Sequence, residues 1–169
     1  ILLNGDTGAT KTACAYLGME TLRRQKVTII GPARARNTWP KEAEKIFKKD
    51  TKPDVFTIES AKDLDNKRIE EAKYVYVSSE LLATAWNNPN LYPKMITALA
   101  DRRQTDGIIF DESDEFRNES TKRSKMVIAL ISRMRSLYEQ RDNQDIPMVA
   151  LTATPISSSL QDLDITMAL

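Results

Sequence analysis

The sequence predicts an α/β protein, a three-layer fold in which a parallel sheet lies between helices. Three observations carry this. Six short apolar or β-branched runs recur along the chain, longer stretches with helical spacing separate them, and Gly, Pro and Asn punctuate the junctions. Strands that alternate with helices need crossover connections, and right-handed crossovers bring the strands parallel with helices on both faces. Ligands of such sheets bind beyond the carboxyl ends of the strands.

Taken in order, Ile1-Leu2-Leu3 reads as the first buried strand, and a helical pattern runs on through about Arg24. Val27-Thr28-Ile29-Ile30 is the second strand, closed by the turn Gly31-Pro32. Turn residues from Asp50 to Pro53 precede the third, Val55-Phe56-Thr57-Ile58, and Tyr74-Val75-Tyr76-Val77 is the fourth. Asn87 to Pro93 is a surface excursion before a helix over roughly Lys94 to Arg103. Gly107-Ile108-Ile109-Phe110 is the fifth strand. Behind the expected cap Ser120, the residues Met126, Val127, Leu130, Ile131, Met134 and Leu137 fall on one helical stripe, the pattern of a core-facing surface. A loop from Gln140 to Pro147 then leads into the sixth strand, Met148-Val149-Ala150-Leu151.

Composition narrows the function classes. The chain has 169 residues, which suits one domain over 1–169 with a core of its own. Twenty-five Lys and Arg against 24 Asp and Glu leave a net charge of +1, so a polyanionic partner must be met by a local patch. The one cysteine, Cys14, and the absence of histidine exclude a structural zinc site and histidine-based catalysis. No apolar run reaches the roughly 18 residues of a membrane span, and no basic segment leads into an apolar stretch at the start, so no membrane partner and an intracellular location are expected. The chain opens without Met at the start of a strand, as a piece of a longer protein would.

Two motifs carry the chemistry. Gly5-Asp6-Thr7-Gly8-Ala9-Thr10-Lys11-Thr12 follows the first strand and opens a helix. Consecutive backbone N–H groups and a helix N-terminus point at phosphates in such a loop; Lys11 adds a point charge and Thr12 offers a hydroxyl to Mg²⁺. Gly5 and Gly8 are also what plain turns require, so a second motif has to decide. It lies where the strand Gly107 to Phe110 runs into Asp111-Glu112-Ser113-Asp114. Buried carboxylates are costly unless a cation joins them, and acids that end an apolar strand opposite a lysine loop fit a shared metal. Asp111 then holds Mg²⁺ and Glu112 orients and deprotonates the water that attacks the γ-phosphate of ATP. Lys11, Asp111 and Glu112 are the expected catalytic set, and Thr12 and Asp111 the metal ligands. Leu151-Thr152-Ala153-Thr154-Pro155 follows the last strand toward the same edge, where Thr152 and Thr154 sense the γ-phosphate through the acids, or where one of them is an ordinary cap.

In this order the motifs resemble the first RecA-like domain of helicase superfamily two, and within it the Swi/Snf-type DNA translocases. Gly31-Pro32 through Trp39 and Glu42 matches the family's segment after the second strand. Ser78-Ser79-Glu80-Leu81-Leu82 resembles its Thr-Ser-Tyr-Glu-Leu-Leu stretch, and Asp111 to Asn118 keeps the frame of its Asp-Glu-Ala-His motif with the Arg-hydrophobic-Lys-Asn that follows. Ser120 to Lys125 extends the likeness, and Leu151 to Pro155 meets its Leu-Thr-Gly-Thr-Pro motif. The resemblance implies a P-loop NTPase of RecA-like fold that binds ATP and Mg²⁺ and is completed by arginines from a second RecA-like domain. It also implies a nucleic-acid track, double-stranded DNA first, held through Arg34, Arg36, Asn37, Thr38, Ser78 and Arg117, whose donors suit a phosphate backbone without regard to base sequence. Asp114, Thr152 and Thr154 would couple the two sites.

Thr10 stands where the family has glycine, Asp114 where it has histidine and Glu115 where it has arginine. Aspartate at that place also occurs in RNA helicases of the superfamily, and Thr10 suits a catalytically weakened nucleotide-binding module, so both readings stay open beside the motor. The run Lys122, Arg123 and Lys125 reads as an exposed polar face, and Trp39 and Trp86 read as packing rather than base stacking.

Overall fold

In a computed structural model, residues 2–4, 9–116, 118, 120–142 and 144–152 are described. Their strands are β1 (Leu2–Asn4), β2 (Val27–Gly31), β3 (Val55–Ile58), β4 (Tyr74–Ser78), β5 (Gly107–Phe110) and β6 (Met148–Thr152). The helices are α1 (Ala9–Thr21), α2 (Thr38–Ile46), α3 (Arg68–Glu71), α4 (Ser79–Trp86), α5 (Leu91–Ile96) and α6 (Lys122–Asp142). The strands form one six-stranded sheet in the order β1-β6-β5-β2-β4-β3, and every pairing is parallel. All six strands lie where the apolar runs put them.

Side chains alternate across this sheet and so build two cores. Ile30, Val75, Val77, Ile108, Phe110 and Ala150 point to the face packed by residues of α4, α5 and α6. Val27, Ile29, Tyr74, Tyr76, Ile109, Val149 and Leu151 point to the other, packed by Tyr16 and Met19 of α1 and Trp39 and Ala43 of α2. The sheet therefore lies between two helical layers, the arrangement that crossover connections demand. On α6 the expected stripe is buried through Met126, Val127, Leu130, Ile131 and Met134, with Leu137 packed at its margin.

Helix boundaries depart from the sequence reading at the end of α1, at the start of α5 and at both ends of α6, which runs on to Asp142 through residues from Gln140 read as a loop. Helix α1 ends at Thr21 rather than near Arg24, because Arg23 turns into the left-handed region at φ 55° and the chain leaves the helix there. The cap of α6 is Thr121 rather than Ser120: the Thr121 hydroxyl accepts from the Ser124 backbone N–H at 3.2 Å, while Ser120 turns back to Asn118. Helix α5 begins at Leu91, inside the segment read as an excursion, and continues as a π-helix over Thr97–Arg102.

Candidate functional site

Because the strands are parallel, the ends of β1, β6, β5, β2 and β4 lie along one edge of the sheet, and the predicted motifs follow those ends. Asn4 is in register with Thr152, and Ala150 with Phe110, so β6 stands between the strand that feeds Lys11 and the strand that feeds Asp111. Lys11 Nζ donates to the Thr152 carbonyl at 3.1 Å, which ties the start of α1 to the end of β6. Thr12 is buried beside it, and Thr10 is exposed in the first turn of α1. Gly5, Asp6, Thr7 and Gly8, and also Arg117 and Thr154, lie outside the described residues, and Ala9 and Asp114 are described only in their backbone.

Asp111 is held from three sides. Its N–H donates to the Ile30 carbonyl at 2.8 Å, its Oδ2 accepts the Trp39 indole N–H at 2.9 Å, and Lys11 acts on it through space. Burial pushes its carboxyl above the usual aspartate value, and the Trp39 hydrogen bond and the Lys11 charge pull the other way. A carboxylate in that balance gains from a further cation. Glu112, the next residue, has φ 53°, a conformation that costs a non-glycine residue about 1–3 kcal/mol and persists only where the surroundings enforce it. Such strain clusters at functional sites. The Glu112 carboxylate pairs with the Arg34 guanidinium, so a residue expected on the nucleic-acid track meets one expected at the reacting phosphate.

The turn after Glu112 is tied to the neighbouring strand ends. Glu115 Oε2 accepts from the Ser79 hydroxyl at 2.9 Å and from Arg123 at 2.7 Å. Glu80 accepts from the Ala33 N–H at 2.9 Å, and Tyr76 Oη donates to the Pro32 carbonyl at 2.6 Å. The segment after β2 is thereby fastened to the start of α4, and α4 to the acid turn. Arg34, Arg36, Asn37 and Thr38 are all exposed along that segment. The Ser78 hydroxyl instead caps α4, accepting from the Leu81 N–H at 3.1 Å.

Trp39 is buried, as packing requires, and is also a hydrogen-bond donor to the candidate metal ligand, a role its place in the sequence does not reveal. Arg123 is not simply part of an exposed polar face, since its ion pair with Glu115 anchors the acid turn to α6. Glu115 and Ser79 belong to this bracing. The only signal in the sequence was their position within matched segments.

The donor set suits Mg²⁺, a hard cation that usually takes one or two protein carboxylates and leaves its other positions to water and phosphate. Among the described residues no three His, Cys, Asp or Glu side chains converge as a metal site, and Asp111 and Thr12 are the residues that would hold the ion. No described helix is long and apolar enough to cross a membrane.

Comparison with solved structures finds a Sulfolobus solfataricus SWI2/SNF2 ATPase core in complex with dsDNA, with a TM-score of 0.64 at 19% sequence identity, covering 100% of this chain and 31% of that one. The chain thus spans about a third of that neighbour's length and shares its fold. Comparison with curated proteins yields no match. The profile of the DEAD/DEAH box helicases matches residues 1–163. With the loop lysine, the strand-terminal acids and the RecA-like sheet that joins them, this match shows that the chain belongs to the DEAD/DEAH box helicase family, whose domains bind ATP.

Proposed function

We propose that this chain is the ATP-binding motor domain of a Swi/Snf-like translocase that hydrolyses ATP to move along double-stranded DNA. The observation that carries the reading is the meeting of distant segments at one sheet edge: Lys11 against the Thr152 carbonyl, Asp111 beside Lys11, and Glu112 paired with Arg34. The loop Gly5 to Thr12 cradles the phosphates, with Lys11 as the point charge. Thr12 and Asp111 hold Mg²⁺, which when bound neutralises charge on the phosphate oxygens. Glu112 orients the attacking water and accepts its proton. Arg34, Arg36, Asn37, Thr38 and Arg117 take the backbone phosphates of the track, and Asp114, Thr152 and Thr154 relay the nucleotide state to them.

The family's arginine fingers come from a second RecA-like domain and are worth roughly 10³ to 10⁵ in rate, so this chain alone turns over slowly. The protein acts inside the cell. The double-stranded DNA in the SWI2/SNF2 neighbour supports a DNA track. Asp114, in the place where RNA helicases of the superfamily also carry aspartate, favours RNA as the second reading.

Lys11→Ala tests the nucleotide site. Titration with a fluorescent ATP analogue and Mg²⁺ is expected to show affinity reduced at least tenfold, about 1.4 kcal/mol, while nucleic-acid binding is retained. Unchanged nucleotide affinity would remove the assignment. Comparing binding of a DNA duplex with that of RNA, with and without the nucleotide, separates the two tracks.

A further inference from the structure

The opposite edge of the sheet, where β2 and β5 begin, contains a cavity of about 260 Å³ lined in part by Arg24, Lys26, Arg103, Asp106, Tyr138 and Arg141. Four of these six side chains are cationic and one is a carboxylate. That carboxylate, Asp106, accepts from the backbone N–H of Lys26 at 2.8 Å and of Gln25 at 2.9 Å, neutral groups that leave its charge in place, so the lining is cationic on balance and not uniformly so. Arg103 is buried and its guanidinium donates to the carbonyls of Val27, Ile69, Ala72 and Lys73, which are neutral groups that leave its charge in place.

Arg24 donates through one terminal nitrogen to the Tyr138 hydroxyl at 2.5 Å, but its Nε is buried without a partner. A buried donor left unsatisfied is a group that an added acceptor would satisfy. Arg141 lies over the Tyr138 ring at 5.2 Å, on the same wall. Burial first, and then the neighbouring Arg103 charge, push the Lys26 ammonium below its usual range, against the opposing pull of Asp106, Glu70 and Glu71.

We propose that this cavity binds a small phosphate-type oxyanion, inorganic phosphate or pyrophosphate, at a site separate from the nucleotide edge. The guanidinium fork matches phosphate oxygens in geometry as well as charge. The volume falls below the roughly 300–1,000 Å³ typical of pockets for organic ligands, which favours a small anion over a whole nucleotide. The site joins the exit of α1, the start of β5 and the end of α6, and α1 and β5 are the elements whose other ends carry Lys11 and Asp111.

The test is calorimetric titration of the chain with phosphate and with pyrophosphate at constant ionic strength, in a Lys11→Ala background that removes the loop lysine as a competing phosphate ligand. Saturable one-to-one binding is expected there, weakened at least tenfold by adding Lys26→Gln and Arg141→Gln together, with circular dichroism unchanged. Should the double replacement perturb the fold, Arg141→Gln alone, at an exposed position, is expected to weaken binding at least threefold. Absence of saturable binding in the Lys11→Ala background overturns the proposal, as does binding that the cavity substitutions leave intact.

Discussion

Gly31 ends β2 between Asp111 and Tyr76, and replacing it with alanine tests how closely that edge is packed. A Cβ there would stand 2.8 Å from Asp111 Cβ, 2.8 Å from Tyr76 Oη and 3.4 Å from the Asp111 carbonyl oxygen. Carbon atoms pack best at about 3.5–4.0 Å, so the Asp111 contact falls short by roughly 0.7–1.2 Å. Neither neighbour yields easily. Tyr76 is fully buried and its hydroxyl is committed to the Pro32 carbonyl, and Asp111 is pinned by its N–H to Ile30. Overpacking of this kind costs about 1–3 kcal/mol, and with two rigid neighbours the upper half of that range applies.

In a chain of this size each kcal/mol lowers Tm by roughly 2–4 °C, so calorimetry should record a fall of roughly 4–12 °C. Asp111 is the group displaced, so nucleotide affinity measured with Mg²⁺ should fall more than affinity measured without it. Adding Tyr76→Phe removes one of the clashing atoms, and the double variant should lose less stability than the two single losses summed. No glycine described here has a positive φ, so space and not backbone freedom is what Gly31 supplies. A Gly31→Ala protein with Tm within a degree of the parent and unaltered Mg²⁺-dependent affinity would refute the close approach.

Two further outcomes follow from buried charge. Burial raises the Asp111 carboxyl above its ordinary 3.8, so between that value and its folded-state value the native protein holds more protons than the unfolded chain, and stability falls as pH rises through the window. Asp111→Asn should therefore raise Tm at pH 7, with the gain shrinking as pH falls toward 4, while Mg²⁺-dependent nucleotide binding is lost; a lower Tm at pH 7 contradicts the reasoning. Arg103→Leu strips charged donors from the carbonyls of Val27, Ile69 and Ala72, at about 1–3 kcal/mol for each carbonyl left unsatisfied, while the Lys73 carbonyl keeps the Val27 N–H. Urea unfolding should show a loss of about 3 kcal/mol or more, and a loss under about 1 kcal/mol would mean that these bonds are dispensable.

Much of the fold was legible because buried parallel strands need unbroken apolar runs, and this chain has six of them bounded by turn residues. The α6 stripe was legible for the same kind of reason, since helical period and burial coincide. Helix ends were less so. Arg23 in a left-handed turn and Thr121 rather than Ser120 as a cap depend on dihedral angles that several residue types adopt nearly equally well. Of the site, the loop lysine and the strand-terminal acids stood out because few other chemistries use those residue types at those junctions. Trp39 did not, because an indole in an amphipathic helix is packing unless a carboxylate meets its N–H, and that carboxylate lies 72 residues away.

Local patterning thus determined the elements, their alternation and the identity of the groups that can touch a phosphate. The order β1-β6-β5-β2-β4-β3 was decided only by the tertiary structure, and with it the meeting of Lys11 with Thr152, of Glu112 with Arg34, and the cationic cavity at the far edge. The reason is range. Propensity and periodicity act over a few residues, whereas strand order and charge juxtaposition are set by how two faces of one sheet are covered at once, which no single segment encodes.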